Sequence, residues 1–425
     1  MIEVTRTQLL PGVHLTAVQT QKFKSSVLGM QFLLPLAREQ AALHALLPMV
    51  LRRGTAEHPD MESLSAVLDE LYGGSLEPTV RKKGETQCVG FVASAIDDAF
   101  VPGGERLLEP VAALVGELVC DPVTRNGRFL PAYVEGEKDN LADAIRSIIN
   151  DKRDYADMRL LQEMCQGEPY GVSRLGDLKT LEKITVPKLY AHYLDLIASS
   201  RLELFYSGQA EESRVEQALA EAFSTLPRES IRETAPSSGG TARPEPRLVT
   251  EALDVTQGKL GMGLRCGSGD VPAMLLVNAL FGGTSNSKLF LNVREKLSLC
   301  YYAVSQYHRS QGLITVSSGI EFQNYQQAYD EIMVQLEAVQ KGRLEDWELE
   351  GARSTLRNAF RSMGDSQGRL EDFYLGQAAT GQIGTPEDFV RELEAVTLDR
   401  VLAAANTLTL DTVYFLKGQE AAEHE

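Results

Sequence analysis

The side chains that could hold a metal ion or act as nucleophiles are few in this chain, and their spacing does not suit either task. The six histidines are His14, His44, His58, His192, His308 and His424; no two lie three or four apart, so no single helix face presents two imidazoles to one ion. On that spacing a zinc site built from histidine pairs is excluded. The five cysteines, Cys88, Cys120, Cys165, Cys266 and Cys300, are odd in number and widely separated, with no CxxC pair, and read as reduced core residues. Three glycine-bearing stretches approach catalytic loops and miss. In "LGMGLRCGSG" (260–269) Cys266 occupies the place of the third glycine that a dinucleotide loop needs for close helix packing. "FGGTSNSK" (281–288) lacks the Gly-Lys-Ser/Thr of a phosphate loop, and "GTSNS" (283–287) lacks the closing glycine of a nucleophile elbow. Both read as tight turns before a helix N-cap.

One further stretch is odd for its residue types. "AALHALLPMVLRRGT" (41–55) sets a lone histidine and Pro48 in an apolar helical run. Proline has no N–H to donate and its ring presses on the carbonyl four residues back, so a kink costing about 3 kcal/mol is expected.

The elements that must carry these residues follow from periodicity. Strands are expected near 13–19 and 26–34, helices near 39–53 and 60–71, and strands near 75–83 and 87–95. A helical block over about 103–197 ends in the strand "RLELFYSG" (201–208). "LPRESIRETAPSSGGTARPEPR" then reads as a linker, placing a first domain at 1–226, the linker at 227–246 and a second domain at 247–425. The order returns after it: a long strand ending in "KLGMGLRC", helices near 271–281 and 285–297, strands near 301–308 and 312–320, more helices, and a closing strand "TVYFLKG" (412–418). "LGM" occurs at 28–30 and 260–262, and "GT" at 54–55 and 283–284. The repeated order implies an internal duplication. The fold class expected is α+β, with two tandem homologous domains, each a largely antiparallel sheet covered by helices.

Composition narrows the function. Acidic side chains outnumber basic ones 59 to 42, a formal net charge of −17, which leaves little basic surface for nucleic acid. The N-terminal "MIEVTRTQLLPGVHLTAV" alternates like a strand and lacks a basic segment followed by an apolar one, and no apolar run approaches the roughly 20 residues of a membrane span. A cytoplasmic protein without a membrane partner is expected.

"NALFGGTSNSKLFLNVREKLSLCYYAVSQY" (278–307) closely resembles the second domain of the M16 zinc metallopeptidases, the pitrilysin and mitochondrial-processing-peptidase family, in its Gly-Gly turn, its helix ending Arg-Glu-Lys and its strand entered through Leu-x-Tyr. The resemblance extends over nearly the whole chain and makes it half of an M16-type clamshell. It implies catalytic service for Arg294 and Tyr301, seven residues apart, and a substrate-binding place for Gly282 and Gly283. Active members carry an HxxEH zinc motif shortly before a "GT" turn, two histidines holding zinc and the glutamate activating water. Laid on Gly54 and Thr55, that motif falls on Ala45, Leu46, Leu47, Pro48 and Met49, so both ligands and the base are missing. His44 is one residue out of register, about 100° around the helix. A third ligand would match Glu135 in "VEGEK", and one carboxylate cannot hold zinc where three protein ligands are needed.

The resemblance therefore implies a zinc-less Arg/Tyr-type subunit, of the kind found among bacterial small-subunit members, that binds no cofactor itself. It would complete a peptidase in trans with an HxxEH-bearing, zinc-holding partner, or self-associate, around peptide or unfolded substrates. A non-enzymatic scaffold of the same fold is the alternative.

Overall fold

A computed structural model describes residues 3–233, 239–382 and 384–419 of the protein; His424 and positions 234–238 of the expected linker lie outside them. The first half of the chain forms β1 (Glu3–Leu10), β2 (Val13–Gln19), β3 (Ser25–Pro35), α1 (Arg38–Leu51), α2 (Met61–Glu70), β4 (Ser75–Lys83), β5 (Thr86–Ile96), α3 (Leu108–Cys120), α4 (Pro131–Ser147), α5 (Lys152–Met164), α6 (Leu178–Glu182), α7 (Val186–Ser199), β6 (Arg201–Gly208) and α8 (Glu212–Ala222). The second forms β7 (Arg247–Leu253), β8 (Gly258–Cys266), α9 (Val271–Asn278), β9 (Cys300–His308), β10 (Leu313–Ile320), α10 (Tyr325–Gln340), α11 (Asp346–Arg361), α12 (Gln367–Thr380), α13 (Pro386–Glu394), α14 (Leu398–Ala405) and β11 (Leu408–Gly418).

Among the described residues one sheet runs β1-β2-β6-β3-β5-β4, with β2 and β6 parallel and its other neighbours antiparallel. The other runs β7-β11-β8-β10-β9, with β7 and β11 parallel and the rest antiparallel. Setting β2, β6, β3, β5 beside β7, β11, β8, β10 matches both neighbour order and direction, which is the duplication in structural form. The single long strand expected before Cys266 is two strands, β7 and β8.

Each sheet buries one face on its own helices. In the first unit Leu28, Met30, Phe32, Ala45, Leu46, Val115 and Leu118 belong to one core; in the second Leu260, Met262, Leu264, Met274, Phe281 and Val316 do. The division of the chain differs from two contiguous halves. The first unit comprises 1–146, 172–236 and 364–383, the second 147–171, 237–363 and 384–425. So α12 belongs with the first sheet and α5 with the second, and the expected boundaries at 226 and 247 miss both segments. An amphipathic pattern says that a helix has an apolar face, not which sheet that face will cover.

The exchanged helices explain the repeated Leu-Gly-Met. Met30 and Met262 point into the cores and are fully buried, while the preceding glycine lies on the opposite face. A Cβ on Gly29 would come within 3.1 Å of Glu371 on α12, and one on Gly261 within 3.2 Å of Leu160 on α5. Glycine at both places lets the covering helix lie close to the strand. Glu371 is buried and takes a two-pronged ion pair from Arg81 on β4, at 2.5 and 2.7 Å.

The linker is held at its ends. Arg228 donates to the carbonyls of Pro11, Gly12, Ile197 and Ser200 in the first unit, and Arg243 pairs with buried Asp411 at 2.6 Å in the second. Among the described residues no helix is long and apolar enough to cross a membrane.

Candidate functional site

Helix α1 runs unbroken from Arg38 to Leu51, with Pro48 in its last turns. The positions the zinc motif would need are packed: Ala45, Leu46 and Leu47 are fully buried, Pro48 is buried, and Met49 packs against the same core from its edge. His44 points inward as well. The amide nitrogen of Gln87 donates to the carbonyls of Ala41 and Arg174, so its oxygen is left to accept from Nδ1–H of His44 at 2.8 Å. The imidazole of His44 stacks on that of His192 from α7, centroids 4.9 Å apart and planes 23° from parallel. Burial, first of all, pushes His44 down to about 4 and His192 down to about 3, so both are neutral near pH 7. Residue spacing missed this pair because its members lie on different helices. The in-plane lone pairs of stacked rings lie in nearly parallel, separated planes and do not converge on one metal ion.

The carboxylate run on α4 also reads differently in three dimensions. The Glu135 side chain is 61% exposed and pairs with Lys138 at 3.4 Å. Two residues on, Glu137 faces inward, 9% exposed, and takes Nη1 of Arg53 at 3.1 Å and the amide of Asn140 at 3.0 Å. The inward carboxylate of the "EGE" run is thus Glu137, and an arginine already neutralises it. Apolar residues at both imidazole positions and an arginine on the inward carboxylate of the "EGE" run do not fit zinc.

Beyond the Gly54-Thr55 turn, the Thr55 hydroxyl donates to Glu117 at 3.3 Å and Nε2 of His58 lies 4.0 Å from the same carboxylate, bracing the loop on α3. Burial, then the charge of Glu57, raises the Glu117 carboxyl above its usual range.

Arg294 and Tyr301 are brought together by irregular backbone. Where regular helices are expected near 271–281 and 285–297, α9 is followed by π-helical turns at Ala279–Gly283 and Leu289–Lys296. Just beyond the second, Ser298 adopts φ 51° and the N–H groups of Ser298 and Leu299 return to the carbonyls of Arg294 and Val293. The chain then enters β9 with a bulge: Gly319 faces Tyr302 and Ile320 faces Cys300, leaving Tyr301 without a ladder partner. Its free carbonyl accepts Nε–H of Arg294 at 3.0 Å. Nη1 of Arg294 lies 3.2 Å from Glu295, and the guanidinium sits 4.8 Å over the Phe290 ring. Tyr301 is 61% exposed, and its hydroxyl donates to Glu321 at 2.6 Å. That hydrogen bond, and then the charge of Glu321, hold the phenol above its ordinary pKa. π-turns and bulges are where side chains are re-aimed, and here they bring the Arg294 guanidinium onto the Tyr301 backbone at a sheet edge and send the phenol to Glu321.

Tyr302 faces the other way, its ring 4.4 Å from the guanidinium of Arg153 on α5. The two glycines have a packing reason. A Cβ on Gly282 would come within 2.7 Å of Ser305 on β9, and one on Gly283 within 2.6 Å of the Asn278 amide. The expected tight turn before an N-cap is this π-turn.

Comparison with known proteins bears on the family. The "Peptidase M16 inactive domain" model matches residues 183–356. The chain is 36% identical over 416 residues to "Probable inactive metalloprotease YmfF" of Bacillus subtilis (strain 168), covering 97% of each. The chain belongs to the M16 peptidase family. Among solved structures, a conserved protein from Enterococcus faecalis V583 superposes with TM-score 0.88 at 27% identity, covering 98% of this chain and 99% of that one. An M16 inactive-domain protein from Pseudomonas fluorescens does so with TM-score 0.79 at 16% identity over 98% of both, a likeness of fold. With α1 filled by apolar residues, the chain is an M16 metalloprotease-like protein of the inactive type.

Proposed function

We propose that this chain is the zinc-less subunit of a two-chain M16 peptidase, supplying Arg294 and Tyr301 in trans to an HxxEH-bearing partner and helping to enclose peptide or unfolded substrates. The observation that carries the reading is the contrast in exposure. α1 carries apolar residues at the zinc-motif positions, Ala45 and Pro48 buried and Met49 at the core's edge, while Arg294 and Tyr301 are assembled by two backbone irregularities and left facing outward. Hydrolysis at a zinc centre in the partner develops negative charge on the peptide carbonyl oxygen. A phenol O–H and a guanidinium N–H are donors suited to that oxygen, and losing one such donor costs about 10² to 10³ in turnover. Neither group needs to change its own protonation state to do so.

The test is hydrolysis of a quenched, unstructured peptide by this protein alone, by an HxxEH-bearing M16 chain from the same genome alone, and by the mixture with zinc. Activity confined to the mixture is the expected result. A partner fully active alone would leave this chain with a scaffold's role.

A further inference from the structure

Tyr301 is assembled but engaged. A phenol has one proton to donate, and Tyr301 gives it to Glu321 at 2.6 Å. The meeting is built into the sheet. Glu321 directly follows the last residue of β10, and the bulge in the paired strand β9 puts Tyr301 opposite that end. The Glu321 carbonyl accepts the N–H of Asn324 at 2.9 Å, closing the short helical turn Phe322–Asn324 and fixing where the carboxylate starts from. Arg294 uses Nε on the Tyr301 carbonyl and Nη1 on Glu295, so it holds the Tyr301 backbone in place without taking the phenol.

We infer that Glu321 is a latch on Tyr301, a positioning residue whose carboxylate occupies the phenol in the resting chain and must release it before Tyr301 can donate to an oxyanion. This deepens, and rests on, the reading that Tyr301 serves a partner's site. The latch fixes the direction of the phenol and also competes with substrate, because one O–H cannot serve both acceptors. Removing the carboxylate should therefore raise turnover.

The experiment uses Glu321→Ala and Glu321→Gln in the full chain, with and without Tyr301→Phe. In the active mixture, Glu321→Ala should raise kcat by about twofold to fivefold, the scale of an exposed charge-assisted hydrogen bond, with Glu321→Gln between it and wild type. In the Tyr301→Phe background the same substitution should do nothing. No rise in kcat, or an equal change with and without the phenol, overturns the latch. On the chain alone, NMR of ring-labelled tyrosine should show the Tyr301 resonance titrating at lower pH in Glu321→Ala; an unmoved resonance also overturns it. If the resonance moves while no mixture hydrolyses peptide, the contact stands, and the trans-site reading and the latch's role in it both fall.

Discussion

The end of α1 and the segment from Leu289 to Glu321 respond to opposite pressures. In the first, Ala45, Leu46, Leu47 and Pro48 fill a core, and even His44 is absorbed as a neutral, stacked ring bonded to Gln87. In the second, a π-turn, a left-handed serine and a bulge interrupt regular structure, and they aim a half-buried Arg294 and an exposed Tyr301. Packing explains the first region completely. In the second, packing accounts for Leu289, Val293, Leu299 and Cys300, which are buried in the core, but not for the outward aim of Arg294 and Tyr301. On the proposed reading, metal chemistry has left the first region and the second keeps two donors for a partner's site.

The strongest way to break this comparison is to restore the lost motif. Ala45→His with Pro48→Glu and Met49→His would insert two imidazoles and a carboxylate where Ala45 and Pro48 are buried. Overpacking and desolvation should cost about 3 kcal/mol or more in chemical denaturation. Unchanged stability would mean that α1 has kept room for ligands.

The histidine pair gives a pH signature of the same packing. Both folded values lie below the ordinary 6.5, about 4 for His44 and about 3 for His192. Above pH 6.5 neither state binds these protons. As pH falls below 6.5 the unfolded chain takes them up and the folded chain does not, so stability drops until the folded values are reached. By pH 5 the loss should be about 2 kcal/mol per imidazole, read from denaturation midpoints at pH 7 and 5. His192→Gln should remove about half of that fall; an identical slope would place the linkage elsewhere.

The smallest effect should come from Ser298→Gly. The left-handed φ at Ser298 favours glycine, so the variant should gain up to about 1 kcal/mol in denaturation and keep its activity in the mixture. Loss of activity at unchanged or higher stability would show that the serine side chain takes part in the site.

Much of the fold was legible because strands such as 13–19, 75–83 and 201–208 alternate or run apolar between turn residues, and they form with those limits. The exchange of α5 and α12 was not, since close packing over Gly29 and Gly261 is a tertiary fact that a three-residue repeat only hints at. At the site, the resemblance of 278–307 to the second M16 domain, rather than the seven-residue spacing itself, pointed to Arg294 and Tyr301, while the π-turn, the bulge and Glu321 left no local pattern to read. Glu135 and Glu137 sit two positions apart on one helix, about 200° around it, and only packing decides which faces inward.

The most direct test of the central claim is the mixture assay with Tyr301→Phe against Tyr302→Phe, each checked for complex formation by sedimentation. The account predicts that Tyr301→Phe binds the partner and lowers turnover about a hundredfold, while Tyr302→Phe, facing Arg153 on the other side of the strand, stays within about twofold of wild type. Equal activity of Tyr301→Phe and wild type in an intact complex would contradict it.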